Sequence, residues 1–373
     1  MSTVVTPAAR RRWSVVVAGT AALVAVLGLG PRALAGMAVP PTTAPPEEVA
    51  ARALRSADVA FSARGRSRGG LALPDLRGFG GLAALLGGTT DTRVWWQDPS
   101  RWRVDVVELT GERDTYGLPH SVTTWDYESR RLVTVVGDQP ARLPRADDLV
   151  APMAGRRLLG LVGPEDRLTA LPAGRVGGRV VDVVRIVPGD ARSTIAHADL
   201  SVDRDTGLPL RVDIVDGAGG TALVTELSDL RLGPPVPDVL TPPAPPIARR
   251  SLETTPDVVA RVAARGEVSM PDRVAGLPVA TSPVGGVATY GSGLVRVTVL
   301  PLPGRLAAEL ARGASSAGSP TEDVPGGSVA RIGSALLNAV VAREAGGRRA
   351  FVVAGLVQPD LLDAVALELL ETP

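Results

Sequence analysis

Residues 174–232 read GRVGGRVVDVVRIVPGDARSTIAHADLSVDRDTGLPLRVDIVDGAGGTALVTELSDLRL. Short β-branched runs are broken there by Pro-Gly-Asp, Asp-Thr-Gly and Asp-Gly-Ala-Gly-Gly. Gly accepts positive φ and Asp bonds its own backbone, so each break is turn chemistry and the runs between are antiparallel strands joined by hairpins. The pattern predicts strands at 180–187, 196–202, 209–215 and 222–230.

Taken in order, Gly178-Arg179, Ile186-Val187-Pro188 with Asp190, Val202-Asp203 and Gly207-Leu208-Pro209-Leu210 resemble the second half of the N-terminal domain of the MucB/RseB family, whose fold is shared with the lipoprotein carrier LolA. The resemblance extends over residues 47–241 and more thinly into the tail, where Tyr290-Gly-Ser-Gly-Leu294 precedes a strand. It implies an α+β fold: a LolA-like bent antiparallel half-barrel sheet with covering helices, then a smaller α+β C-terminal domain. It also implies an open-mouthed apolar pocket, a lipid or acyl-chain ligand, and a membrane anti-sigma factor as partner.

Composition narrows the chemistry. The chain has 373 residues, enough for two domains at roughly 100 to 200 each. A net charge of +1 gives no global field toward nucleic acid. Cysteine is absent, so disulfides and thiolate nucleophiles are excluded. Lysine is absent too, which removes P-loop and Schiff-base chemistry. His120 and His197 stand apart with no metal-ligand spacing, and no G-x-S-x-G elbow or H-E-x-x-H occurs. The expectation is a protein that is not an enzyme, with no cofactor and no metal.

Arg10, Arg11 and Arg12 precede an uncharged run over 13–30, followed by Ala33-Leu34-Ala35. That order marks residues 1–35 as a signal peptide cut after Ala35 or as a retained membrane anchor, and it puts the rest of the chain outside the cytoplasm. Residues 36–46 form a Pro/Thr/Ala spacer. The first domain is expected over 47–241, a proline-rich linker over 242–256 and the second domain over 257–373.

Pro46, Glu47 and Glu48 open a helix with Val49, Ala53, Leu54 and Ala57 on one face. A strand is expected at 59–66, and the Gly-rich stretch 69–88 is read as a loop with one short helix. Four of the five tryptophans lie between Trp95 and Trp125. Alternation about the Asp98-Pro99-Ser100 turn puts Val94 and Trp96 on one face with Trp102, Val104 and Val106, and puts Arg93, Trp95, Arg103 and Asp105 on the other. A further strand at 122–127 offers Trp125 and Tyr127 to one side. The expected lining of an apolar pocket is therefore Val94, Trp96, Trp102, Val104, Val106, Trp125 and Tyr127, against the plain alternative that these aromatics are core. Interleaved Arg and Trp do not make a nucleic-acid surface here, because Asp and Glu match the Arg residues.

A helix is expected from Pro152 to Gly163-Pro164, with a second helical turn at 165–171. In the tail, strands are expected at 294–300, 328–332, 338–341 and 348–354, short helices at 257–265 and from Pro359, and a polar loop at 314–327. Two readings remain. One is an exported regulator binding a membrane anti-sigma factor to control an extracytoplasmic sigma response. The other is a LolA-like carrier of lipid or lipoprotein acyl chains.

Overall fold

The computed structural model describes residues 39–70, 85, 87–107, 111–137, 144–254, 270–284, 287–316, 318–347 and 349–371. The expected leader at 1–35, most of the 69–88 stretch and the expected helix at 257–265 lie outside these residues.

Twelve strands form the first sheet: β1 (Phe61–Gly69), β2 (Thr89–Asp98), β3 (Arg101–Val107), β4 (Glu112–Leu118), β5 (Ser121–Asp126), β6 (Arg131–Val136), β7 (Arg167–Val176), β8 (Arg179–Val187), β9 (Ile195–Asp203), β10 (Pro209–Asp216), β11 (Thr221–Leu232) and β12 (Arg249–Thr254). Their spatial order is β12-β6-β5-β4-β3-β2-β1-β11-β10-β9-β8-β7. Neighbours are antiparallel except β12, which joins β6 in parallel. Residues 249–254, expected within the linker, are thus an edge strand of the first sheet.

Helices α1 (Pro46–Arg55) and α2 (Ala151–Leu161) cover one face. The apolar side of α1 is Val49, Ala50 and Ala53, while Leu54, expected inward, is 43% exposed. Arg52 ties α1 to β8 through Asp182 at 2.5 Å, and Arg204 holds the same carboxylate at 2.6 Å. These bonds hold the Asp182 carboxyl below its ordinary value although burial opposes them. Helix α2 sits close on the sheet because Gly155 has no Cβ; one there would come within 2.8 Å of Pro209.

The expected helical turn at 165–171 is instead the start of β7, paired with β8 from Arg167↔Val187 onward. Leu168 and Leu171 have the three-residue spacing of a helix, yet Pro172 is tolerated because β7 is an edge strand.

The second sheet has eight strands: β13 (Arg273–Val274), β14 (Leu277–Val284), β15 (Val287–Ser292), β16 (Val295–Pro301), β17 (Glu322–Val324), β18 (Gly327–Gly333), β19 (Asn338–Glu344) and β20 (Ala350–Gly355). Helix α3 (Gly304–Ser316) and helix α4 (Pro359–Glu371) pack on it. The expected loop at 314–327 is corrected accordingly, since it begins inside α3 and contains β17. In α4, Leu361, Leu362, Val365 and Leu369 are buried as its spacing requires.

The two sheets meet at the β8–β9 turn. Ser193 and Val357 form an antiparallel bridge, the Gln358 amide donates to the Arg192 carbonyl at 2.7 Å, and the Thr194 hydroxyl donates to the Leu336 carbonyl at 2.7 Å. Leu294 and Leu336 reach into the core of the first sheet.

Candidate functional site: two faces of the tryptophan-bearing strands

Register places the aromatic residues. Trp96 faces Trp102 across β2 and β3, and Val94 faces Val104, so these residues share the helix-covered inner face with Val106. Phe61, Trp96 and Trp102 stack, with ring centroids 6.5 and 6.2 Å apart. The Trp96 indole N–H donates to the Ala57 carbonyl at 2.7 Å. Trp102 lies flat across β4 at Gly117, where a Cβ would overlap the indole. The guanidinium of Arg156 lies 4.9 Å from the Trp96 ring and that of Arg145 lies 5.9 Å from Trp102. Both indoles are buried, at 5 and 6% exposure.

Trp125 and Tyr127 are not part of this group. Trp125 is registered with Asp114, which is registered with Asp105, which faces Arg93. Side chains directly across an antiparallel pair share a face. Trp125 therefore belongs to the outer face, edge-on to Tyr127 at 5.3 Å, and Tyr127 is 46% exposed. The structure brings together Val94, Trp96, Trp102, Val104 and Val106, and sets Trp125 and Tyr127 on the opposite side of the same strands.

Arg156 has no carboxylate in salt-bridge contact among the described residues; its hydrogen-bond contact is a long one, 3.5 Å, to the Ser56 hydroxyl. Burial pushes its guanidinium down to about 10, with Asp58 opposing. It stays charged at neutral pH, and holding that charge over the aromatic stack costs stability. Arg156→Met keeps the volume and removes the charge, so it is expected to raise stability by about 1–2 kcal/mol in a denaturant titration.

The outer face carries a second cluster, which sequence reasoning does not assemble. Arg103 donates to Asp105 at 2.6 Å and to Asp114 at 3.0 Å, and it lies between the rings of Trp95 and Tyr116, 5.0 and 5.1 Å from their centroids. The Tyr116 hydroxyl donates to Asp114 at 3.2 Å. The turn Pro237–Leu240 sits over β3, with the Val239 carbonyl accepting from Arg103 at 3.4 Å and Leu240 buried. Oxygens of Asp105, Glu112 and Asp114 lie within 4.8 Å of one another. Arg103 already supplies a cation there, and one oxygen each of Asp105 and Asp114 is buried without a partner.

Two adjoining buried carboxylates with one guanidinium between them favour a bound proton. Burial pushes Asp105 up to about 7, opposed by Arg103 and reinforced by Asp114, and burial also raises Asp114. A raised carboxyl pKa in the folded state means the native protein binds the proton more tightly than the unfolded chain. The resulting stabilisation is complete below about pH 4 and is lost as pH rises through 7. Asp105→Asn mimics the protonated form. It is expected to add about 1–3 kcal/mol more at pH 8 than at pH 4, read from melts at the two pH values.

A groove of about 800 Å³ also lies on the outer side of β1, β2 and β11, among Arg64, Arg66, Arg68, Arg93, Asp91 and Glu226. Its charges are largely paired, as in Arg66–Asp91 at 2.7 Å, so it is a polar surface and not a seat for an apolar guest.

The architecture has counterparts among known proteins. No curated protein matches the sequence. The complex structure of Pseudomonas aeruginosa MucA/MucB is matched with a TM-score of 0.50 at 20% identity, over 87% of this chain and 98% of that one. A crystal structure of MucB in complex with MucA(peri) gives 0.49 at 18% identity, over 87% and 98%. A LolA superfamily protein from Nitrosomonas europaea gives 0.27 at 11%, over 54% and 99%. At these identities the likeness concerns the fold, which is α+β and built on a large curved sheet. Residues 167–245 match the family model described as the MucB/RseB N-terminal domain, the same family that the hairpins of this stretch resemble.

Proposed function

We propose that this chain is an exported regulatory protein that binds the extracytoplasmic segment of a membrane anti-sigma factor and thereby controls an extracytoplasmic sigma response. The observation that carries the reading is the extent of the likeness: 98% of the chain in the MucA/MucB complex is covered, so both sheets are included and not the first alone. A carrier of acyl chains needs only the first. The domain division at 47–241, 242–256 and 257–373 belongs to this proposal, with the linker contributing β12 to the first sheet.

The protein acts by binding and not by catalysis. Its densest polar constellation, around Arg103, is tied internally and lies beneath the Pro237–Leu240 turn. Export is inferred from the arginines and apolar run before residue 31. No helix among the described residues is long and apolar enough to cross a membrane.

The acyl-chain part of the proposal rests on the inner face. Val94, Trp96, Trp102, Val104 and Val106 form an apolar strip, and beside it stands Arg156, a cation with no carboxylate in salt-bridge contact among the described residues. A fatty acid would lie along the strip with its carboxylate at Arg156, entering as Arg145 and Arg156 swing away. To act as a signal it must bind the released state better than the partner-bound one.

The test is capture from host membranes with the full chain as bait, followed by reconstitution with the purified partner. Recovery of one single-pass protein with a cytoplasmic sigma-binding domain is expected. Recovery of lipid with no protein would favour the carrier.

A further inference from the structure

The first sheet ends at β12, a strand delivered by the proline-rich segment and paired on one side to β6. Among the described residues no strand pairs with its other side. An open strand edge presents unpaired amides and carbonyls to any extended chain. The corner where β12 and β6 begin is also rich in cationic charge. Arg130, Arg131, Arg249 and Arg250 are all exposed, and none is in a salt bridge among the described residues. Arg249 uses one guanidinium nitrogen on the Ser129 carbonyl at 2.9 Å, which fixes it at the corner without neutralising it. Glu128, in the same turn, offsets one of these four charges, and Asp126, across from Arg131, is paired with Arg113 at 3.1 Å.

The register gives the cations a pattern. Arg249 pairs with Arg131 and so lies on one face, while Arg250 pairs with Leu132 and lies on the other. Leu252 comes next on the face of Arg250 and is 74% exposed. An arriving strand would meet a cation, and two residues along the same face an apolar side chain.

We propose that the free edge of β12 is a docking site for an extended acidic segment of a partner protein, added as a strand next to β12, with acidic side chains against Arg249 and Arg250 and an apolar residue against Leu252. Backbone pairing supplies affinity and the alternating side chains supply selectivity. The same arginines repel a second copy of this edge, which limits self-association. The site does not depend on the anti-sigma reading, because its test uses no anti-sigma factor.

The test is fluorescence anisotropy of the full chain with a labelled peptide repeating Glu-Thr-Val-Thr, a Lys-for-Glu counterpart, and two versions N-methylated on alternate amides. The Glu peptide is expected to bind, and to bind less tightly as salt is added. The Lys peptide should not bind, and Arg249→Glu with Arg250→Glu should weaken the Glu peptide about tenfold or more. One of the two N-methylated sets should fail to bind while the other still does. The exposed positions make the double variant safe for folding. Absence of binding by the Glu peptide, equal binding by the Lys peptide, indifference to the double variant, or equal binding by both N-methylated sets would each overturn the proposal.

Discussion

Arg103→Ala is expected to cost about 3–5 kcal/mol of stability, the usual penalty for removing one partner of a buried ion cluster. The substitution leaves Asp105 and Asp114 facing each other with no guanidinium between them, and both are fully buried. It also removes the group packed between Trp95 and Tyr116 and the donor to Val239 that ties the Pro237–Leu240 turn to β3. The abandoned carboxylates can recover part of the loss by taking up protons, so the deficit should be larger at pH 8 than at pH 5. Denaturant titrations at those two values check it. A loss below about 1 kcal/mol, or one independent of pH, would mean that Arg103 is a surface group and that the Pro237–Leu240 turn is not anchored through it.

Trp102→Ala is the second large effect, also about 3–5 kcal/mol, because a buried indole is deleted and a cavity remains. Trp102 is the end of the Phe61–Trp96–Trp102 stack and lies against Gly117, where neither neighbour can expand to fill the gap. Stability alone does not separate a core residue from a ligand contact. Titration with fluorescent fatty acids of increasing length does, using Trp102→Phe as the folded control. Affinity that rises with chain length in the parent and is weakened in both variants supports the inner strip as an acyl site. Affinity independent of length would leave the stack as core.

The hairpins of residues 179–230 were legible because their turns are chemically punctuated. The expected strands at 180–187, 196–202, 209–215 and 222–230 correspond to Arg179–Val187, Ile195–Asp203, Pro209–Asp216 and Thr221–Leu232. Strand β4 was not legible in the same way. Its sequence ERDTYGL has no apolar alternation, since its outer positions Asp114 and Tyr116 belong to the hydrogen-bonded cluster around Arg103 and its inner one at Gly117 is empty to admit Trp102. Without β4 the register from β3 to β5 cannot be built, and Trp125 then has no assigned face. That is why the expected lining joined Trp125 and Tyr127 to residues on the far side of the sheet. Helix α3 was not among the expected elements, although Ala307, Leu310, Ala311 and Ala314 repeat at helical spacing. The parallel β12 was hidden by the prolines before it, which argue locally for a spacer while long-range pairing decides otherwise.

The reading as a regulator is tested most directly by limited proteolysis of the extracytoplasmic segment of the captured membrane protein, alone and with the full chain at equal concentration. The account predicts a one-to-one complex in which that segment resists cleavage, and resistance that fades as a long-chain fatty acid is added. Cleavage at the same rate with and without the chain, while the chain carries fatty acid between vesicles, would contradict it.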